Sequence, residues 1–311
     1  MPLNPIAQRM IDDSKASGRP NAHLLPVATA RANFEDTFGA LDKPEIHSTR
    51  EVTIPTQDGE SIRGRLYLPS GAEGLPLTVY YHGGGWLLGS IDSHDVTTRL
   101  LATASGSAVL SVDYRRGPDY RFPTAVNDAI DALEWARTKG NLPVDVTRVA
   151  VAGDSAGGNL AAAVAIDVRD QALPALAHQL LVYPVTTCDL SKGFDPEYDG
   201  IMLERDELQW HQDNYLPGAD WASDHRVAVL DAKHEGLVGA TVVLAECDPI
   251  RPQGELYAQA LRDAGVPVEV FQSEGLIHGF FGLNQVFPSA SEAMEFAGDR
   301  LRTAFSGVAG E

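Results

Sequence analysis

The sequence predicts an α/β fold with a mostly parallel, eight-stranded sheet and helices on both of its faces. Apolar runs such as LPLTVYY, SAVLSVDY and RVAVAG alternate with helical patterns along most of the chain. Strands that are apolar on both faces belong to parallel sheets covered by helices. The length of 311 residues and the hydrophobic content of 44% suit one large domain with an ample core. We therefore expect a single domain spanning residues 1–311.

The individual elements follow in order from residue 46. The runs EVTIPT and SIRGRLYLP flank the turn signal Gln57-Asp58-Gly59, which predicts a β-hairpin. Helical spacing predicts helices over about 93–104 and about 123–138, and the alanine-rich run NLAAAVAIDVRD predicts a third. HQLLVYPV, TVVLAECD and VEVFQSE complete the predicted strands. The catalytic body is expected to comprise residues 46–311.

Two segments do not fit this alternation. Residues 1 to about 45 are polar, interrupted by prolines and only locally amphipathic. About 55 residues separate HQLLVYPV from TVVLAECD, far more than an ordinary connection. Scattered aromatic residues in this insertion predict helices that pack over the strand ends. We expect about 1–45 and about 186–226 to form a helical cap over the site.

Composition excludes several classes of function. A formal net charge of −19 argues against nucleic acid and anionic membranes as partners. No stretch approaches the roughly 18 apolar residues of a membrane span, and the N-terminus lacks the pattern of a secretion signal. Cys188 and Cys247 are too few for a disulfide framework or a zinc site. We expect a cytoplasmic protein without metal or organic cofactor.

The pentapeptide Gly153-Asp154-Ser155-Ala156-Gly157 follows the strand RVAVAG and opens a helix. A serine on such a tight strand-to-helix turn has an exposed hydroxyl, and it needs small neighbours because the adjacent strand and helix lie close. The N-terminus of the following helix favours developing negative charge. We predict that Ser155 is a nucleophile.

A serine hydroxyl needs a base, and the base needs an acid that orients it. His278 follows the strand VEVFQSE, and Asp248 ends the strand TVVLAECD. Asp154 is a poor rival, because a neighbour of the nucleophile cannot easily reach behind the histidine. The order Ser155, Asp248, His278 is the order expected for an α/β-hydrolase triad. His178 begins a strand at the wrong end of the sheet. Six other histidines have polar or turn-like contexts and are interpreted as surface residues: His23, His47, His94, His211, His225 and His234.

Acyl transfer also needs donors directed at an oxyanion. His82-Gly83-Gly84-Gly85-Trp86 follows the strand LTVYY, and its glycines leave backbone N–H groups accessible. The alternative of a phosphate-binding loop lacks the pattern G-x-x-x-x-G-K-[ST] and a nearby lysine. We predict that the N–H groups of Gly83, Gly84 and Ala156 form an oxyanion hole.

With these motifs in order, the sequence resembles the hormone-sensitive-lipase family of α/β-hydrolases, marked by HGGGW and GDSAGGNL. The resemblance runs from about residue 76 to about residue 281. It implies the triad and oxyanion hole named above and a cap built from the N-terminal helices and the insertion. It also implies four residues that line the acyl or alcohol site, each of which could equally be plain core: Trp86, Tyr183, Ile250 and Ile277.

Two segments depart from the family pattern. After the expected acid, Pro252 and Gln253 replace two acidic residues, although proline is tolerated in the first turn of a helix. In the family's D-Y-R-L-A-P-E segment, Arg116 and Gly117 replace small apolar residues. Because that segment lies near the glycine loop in the family, the two replacements are expected to alter how this loop is supported.

The sequence thus predicts a serine carboxylesterase that hydrolyses short to medium acyl esters of small molecules through an acyl-enzyme. The same residues could cleave an amide, an aryl formamide or a lactone. A receptor that binds a small molecule without catalysis is a further alternative, which the presence of all three triad residues disfavours. Whether the protein is a homodimer is left open.

Overall fold

A computed structural model describes residues 2–307, which form one eight-stranded sheet and eight α-helices. The strands are β1 Ser48–Pro55, β2 Ser61–Leu68, β3 Leu75–Tyr81, β4 Ala108–Asp113, β5 Val144–Asp154, β6 His178–Val182, β7 Ala240–Cys247 and β8 Val268–Ile277. The helices are α1 Pro5–Ser17, α2 Val27–Phe38, α3 Asp95–Ser105, α4 Thr124–Thr138, α5 Ala156–Asp170, α6 Arg205–Tyr215, α7 Arg251–Asp263 and α8 Ala290–Gly307.

The strands lie in the order β1-β2-β4-β3-β5-β6-β7-β8. β2 pairs antiparallel with both β1 and β4, whereas every other neighbouring pair is parallel. The predicted hairpin is therefore the antiparallel edge of an otherwise parallel sheet. The predicted fold class is confirmed, and the helices predicted over about 93–104 and about 123–138 correspond to α3 and α4 within two residues.

Alternate residues of each central strand enter two separate cores. In β3, Val79 packs with α4, α5 and α7 in one core, whereas Tyr80 packs with α3 and α8 in the other. This alternation is the period of a strand whose two faces are both buried. Helices therefore cover both faces, and the polar groups that are left accessible collect at the ends of the strands.

The carboxyl ends of β3, β5, β7 and β8 lie at one edge of the sheet, where ligands bind in open parallel sheets. Helices α1 and α2, together with the connection from β6 to β7, contribute to a cavity above this edge. Short 3₁₀ turns at Ala22–Leu24, Pro196–Tyr198, Ala219–Ser223 and Val229–Asp231 interrupt these segments. Between residues 2 and 307, no helix has both the length and the apolar character needed to cross a membrane.

Candidate active site

Ser155 lies on the turn between β5 and α5, in a conformation that few side chains adopt. Its φ is +54°, and its N–H donates to the carbonyl of Val182 at 2.8 Å. A Cβ added to Gly157 would lie 1.9 Å from the backbone oxygen of Tyr81, so only glycine allows α5 to approach β3 this closely. The strained turn holds the serine at the tip of β5 with its hydroxyl directed away from the sheet.

The structure brings Ser155, His278 and Asp248 into one hydrogen-bonded chain. Ser155 Oγ lies 2.9 Å from His278 Nε2, and His278 Nδ1 lies 2.7 Å from Asp248 Oδ2. The other carboxylate oxygen of Asp248 accepts the N–H of Ile250 at 2.9 Å. Because a carboxylate only accepts hydrogen bonds, Nδ1 is the donor and Nε2 of the neutral ring can accept the proton of the serine. This is the geometry required of a nucleophile, a base and an orienting acid.

The electrostatic environment of His278 favours its protonated form. Burial acts to lower its pKa, but the carboxylate of Asp248 outweighs burial, with smaller contributions from Asp154 and Glu207. The pKa of His278 therefore lies above its ordinary value. A base with a raised pKa takes a proton more readily, provided that the pH keeps the ring neutral.

The carboxylate of Asp154 has partners other than His278. Its carboxylate accepts hydrogen bonds from Tyr80 Oη at 2.6 Å and from the N–H of Gly83 at 2.9 Å, and it lies 3.5 Å from His94 Nε2. Burial acts to raise the pKa of Asp154, but His94 and the Tyr80 hydrogen bond lower it below its ordinary value. Asp154 thus holds the first glycine of the loop that follows β3.

That contact corrects the predicted oxyanion hole. The N–H of Gly83 is not available to a substrate, because it already donates to Asp154. Gly84 and Gly85 line the cavity, and their N–H groups have no acceptor within residues 2–307. Ala156 is the first residue of α5, where backbone N–H groups lack partners within the helix. The available donors are therefore those of Gly84, Gly85 and Ala156.

A cavity of about 520 Å³ lies above Ser155 and His278. Its walls include side chains of α1 and α2, the glycine loop and the beginning of α6. Asn159 Nδ2 anchors the insertion by donating to the carbonyls of Val185 at 3.0 Å and Val227 at 2.7 Å, one at each end of it. The N-terminal segment contacts the insertion where Asn21 Nδ2 donates to Glu204 at 2.7 Å.

Two of the four predicted pocket residues line this cavity and two do not. Trp86 and Tyr183 line it; Trp86 stacks on Tyr215 at 4.6 Å between ring centroids, and Tyr183 packs against the ring of His278 at 4.7 Å. Ile250 and Ile277 are 1% exposed, belong to the two cores and are absent from the described lining of the cavity. Both isoleucines pack in the cores of the body, and their role at the acyl or alcohol site stays a prediction.

Three histidines interpreted as surface residues are buried. His94 and His211 line the cavity, and His234 Nε2 donates to the carbonyl of Val229 at 2.9 Å. Glu207, four residues before His211 on α6, also lines the cavity and was not singled out from the sequence. The spacing of Glu207 and His211 puts them on one helical face, which is the signal that could have identified them.

Three of the residues that depart from the family pattern make hydrogen bonds in the structure. A side-chain nitrogen of Arg116 donates to the carbonyl of Gly89, and the N–H of Gly117 donates to the carbonyl of Trp86 at 3.0 Å. Gln253 accepts the N–H of Thr186 at 2.9 Å, at the start of the insertion. The replacement residues thus support the glycine loop and the insertion.

Across the described residues, no group of three or more histidine, cysteine, aspartate or glutamate side chains could hold a metal ion.

The fold and the site together define the class of protein. A serine on a strand-to-helix turn, a histidine and an acid on two later strands and a glycine loop after β3 are the features of an α/β hydrolase. The family described as alpha/beta hydrolase fold matches residues 78–282.

Relatives narrow the class to a family. The chain is 41% identical over 299 residues to the carboxylesterase NlhH of Mycobacterium tuberculosis, covering 94% of this chain and 92% of that protein. It is 33% identical over 320 residues to an ethyl acetate hydrolase of Pseudomonas putida, covering 97% and 99%. Among solved structures, the hyperthermophilic esterase of Pyrobaculum calidifontis superimposes with a TM-score of 0.89 at 36% identity, covering 99% and 100%.

The chain belongs to the hormone-sensitive-lipase family of α/β-hydrolases, which confirms the resemblance seen in the sequence. It is a carboxylic ester hydrolase.

Proposed function

We propose that this chain is a serine carboxylesterase that hydrolyses short to medium acyl esters of small molecules through an acyl-enzyme on Ser155. The observation that carries the proposal is the chain of hydrogen bonds from Ser155 Oγ through His278 to Asp248, at 2.9 and 2.7 Å. In this proposal Ser155 is the nucleophile, His278 is the general base and acid, and Asp248 orients His278.

Acylation begins when Ser155 Oγ attacks the ester carbonyl carbon and its proton passes to His278 Nε2. A tetrahedral oxyanion forms, and Asp248 stabilises the positive imidazole through its hydrogen bond to Nδ1. When the tetrahedral species collapses, His278 gives the proton to the departing alkoxide oxygen. The alcohol leaves, and the acyl group is then bonded to Ser155.

Deacylation repeats these steps with water as the nucleophile. His278 takes a proton from the water as its oxygen attacks the acyl carbon. The second tetrahedral species collapses when the bond to Ser155 Oγ breaks and His278 returns the proton to the serine. The carboxylic acid leaves, and the site regains its initial protonation.

In both tetrahedral species the negatively charged oxygen accepts hydrogen bonds from the N–H groups of Gly84, Gly85 and Ala156. These donors are backbone groups fixed by the loop and by the start of α5, so they need no reorganisation during the reaction. Removal of one oxyanion donor typically costs about 2.7–4 kcal/mol of transition-state stabilisation.

The two segments above the site are proposed to act as a cap that limits the substrate. About 1–45 and about 186–226 contribute side chains to a cavity of about 520 Å³, within the size range of small-molecule sites. In this proposal the walls of the cavity favour short and medium acyl chains over long ones.

We also propose a cytoplasmic location. Cys188 and Cys247 are both buried free thiols. A reducing compartment keeps thiols in this form, whereas oxidising compartments favour disulfides.

Substitution of the nucleophile tests the mechanism. We expect Ser155→Ala to fold like the parent and to lose about three to six orders of magnitude in kcat towards p-nitrophenyl butyrate, because the acyl-enzyme can no longer form. Ser306→Ala, which removes an exposed hydroxyl on α8, is the matched control and should keep the parent activity. Near-parent turnover by Ser155→Ala would contradict the proposal.

Covalent labelling gives an independent test of the same residue. A fluorophosphonate should modify Ser155, as identified by peptide mass spectrometry, and Ser155→Ala should not be labelled. Labelling of another residue in the parent protein would assign the nucleophile elsewhere.

A further inference from the structure

The cavity contains a carboxylate that the proposed reaction does not use. Glu207 lies in the first turn of α6 and lines the cavity together with Ser155 and His278. Only 17% of its side chain is exposed. Its carboxylate makes no hydrogen bond to any group within residues 2–307, although Glu204, one turn earlier, accepts one from Asn21.

His211 lies beside this carboxylate, one turn further along α6. Its Nε2 is 3.8 Å from Glu207 Oε1, beyond hydrogen-bond distance, and its Nδ1 is buried without a partner among the described residues. The ring packs on the glycine loop so closely that a Cβ on Gly85 would lie 2.3 Å from it. The pair is therefore adjacent to a glycine assigned to the oxyanion hole and within the reach of a bound ester.

No cation in the described part of the chain neutralises Glu207. Burial raises its pKa to about 7, Glu204 adds to this effect, and His278 opposes it. Burial also lowers the pKa of His211 to about 3, so His211 is neutral and supplies no positive charge. Lys15 and Arg19 lie on the cavity wall as exposed side chains, and neither forms an ion pair with Glu207. A buried carboxylate without a counter-ion is costly, and a cationic ligand would remove that cost.

We propose that Glu207 and His211 form a subsite that binds a protonated amino group of the substrate, so that the preferred esters are those that carry a basic amine near the scissile bond. The inference rests on the proposed function, because the subsite serves the ester held at Ser155. The carboxylate of Glu207 accepts the N–H of the ammonium group. Where the ammonium group carries a second N–H, an unprotonated nitrogen of His211 can accept it. The acidic surface of the whole chain, with a net charge of −19, also attracts such substrates.

A pair of isosteric esters isolates the charge. 2-(Dimethylamino)ethyl butyrate and 3-methylbutyl butyrate have the same acyl group and the same shape of alcohol, and they differ only in a protonated nitrogen in place of a carbon. At about pH 8, above the pKa of about 7 of Glu207, the carboxylate is ionised. We expect kcat/KM, measured by pH-stat titration, to favour the amine ester by about tenfold or more, as for a hydrogen bond to a charged group.

Two variants on the same turn of α6 provide the test and its control. Glu207→Gln keeps the shape and removes the charge, so we expect the preference for the amine ester to fall by about tenfold or more while the neutral ester is still hydrolysed. Asp206→Asn removes one negative charge from the neighbouring residue, which is exposed and outside the described cavity lining, and should keep the preference. Glu207→Leu removes the charge without leaving an amide, and it should lower the preference for the amine ester in the same way.

Binding separates this inference from the proposed function. Calorimetry on Ser155→Ala should give tighter binding of the amine ester than of the neutral ester, and the added Glu207→Gln substitution should abolish the difference. Equal binding of the two esters to Ser155→Ala, or a preference unchanged by Glu207→Gln, would overturn the subsite. Failure of the parent protein to hydrolyse either ester would instead overturn the proposed function, and the binding comparison would still decide the inference.

Discussion

Three carboxylates raise the pKa of His278, and each acts from a different position. Asp248 makes the direct hydrogen bond at 2.7 Å. Asp154 is held by Tyr80 and Gly83 and acts on His278 only through its charge. Glu207 acts from the insertion above the site. The basicity of one histidine thus depends on the body of the fold and on the segment that covers it.

Removal of the Glu207 charge should therefore change the pH profile. In the proposed mechanism His278 must be neutral to accept the serine proton, so kcat/KM for a neutral ester should fall as the pH falls through the pKa of His278. Ionised Glu207 favours protonated His278, so Glu207→Gln should lower the pKa of His278 and move the acidic limb to lower pH. The measurement is kcat/KM for p-nitrophenyl butyrate against pH. A limb that stays in place, or one that moves equally in Asp206→Asn, would count against this coupling.

At the level of residues, the sequence predicts what depends on order along the chain. Ser155, Asp248 and His278 were identified because each follows a strand of a parallel sheet, and such strand ends meet. Gly83 and His211 depend on contacts across the fold instead. The N–H of Gly83 is taken by Asp154, and His211 packs on Gly85 from a segment more than a hundred residues later. Polar context alone does not reveal either contact.

At the level of elements, the glycine loop after β3 is held from outside the sheet. Arg31 of α2 donates to the carbonyl of Leu87 at 2.9 Å, contacts the carbonyl of Gly117 and pairs with Asp119 at 2.9 Å. Arg116 contacts the carbonyl of Gly89 from the segment after β4. One N-terminal side chain thus connects the loop after β3 to the segment after β4.

Loss of Arg31 should loosen this connection. We expect Arg31→Ala to lower the free energy of unfolding by about 1–2 kcal/mol, because carbonyl groups lose donors that are partly shielded from water. It should also lower kcat/KM several-fold, since the donors of Gly84 and Gly85 become less well fixed. Thermal unfolding and p-nitrophenyl butyrate kinetics measure these effects. Arg9→Ala, which removes an exposed guanidinium from α1, should change neither, and an Arg31→Ala protein with parent values would refute the connection.

The existence and type of the main elements could be read from apolar runs and helical spacing, since these patterns are local. The contacts of α2 could not be read from these local patterns. Val27–Phe38 has a single buried residue, Ala30, and its role depends on Arg31, whose partners lie far along the chain. A weakly amphipathic segment indicates a surface helix but not the loop that it supports.

At the level of the whole molecule, the proposed function makes substrate size depend on the volume between the body and the two segments above it. The cavity of about 520 Å³ is lined by both apolar and polar side chains. Tyr183 and Trp86 form fixed aromatic walls, since both are 2% exposed and packed against neighbouring rings. The available space is therefore limited unless the segments above the site move.

A series of p-nitrophenyl esters should reveal this limit. We expect kcat/KM to be highest for short and medium acyl chains such as butyrate and hexanoate, and to fall for laurate and palmitate, because the proposed cap confines the acyl chain. Removal of cavity volume by Leu208→Trp should shift the optimum towards acetate, because Leu208 lines the same space. An undiminished rate with palmitate would contradict a bounded site.

Contacts between the N-terminal segment and residues far along the sequence also bear on the order in which the site is completed during translation. The N–H of Asn4 donates to the carbonyl of Gly275 at 2.9 Å, and Asn21 bonds to Glu204. Asn4, at the start of α1, therefore leaves the ribosome long before Gly275 has been synthesised. The sheet can assemble progressively as the chain emerges, but Gly275, which binds Asn4, and His278 are synthesised almost together. In the proposed mechanism, a nascent chain that has already folded the turn around Ser155 is therefore still inactive, because it lacks the base His278.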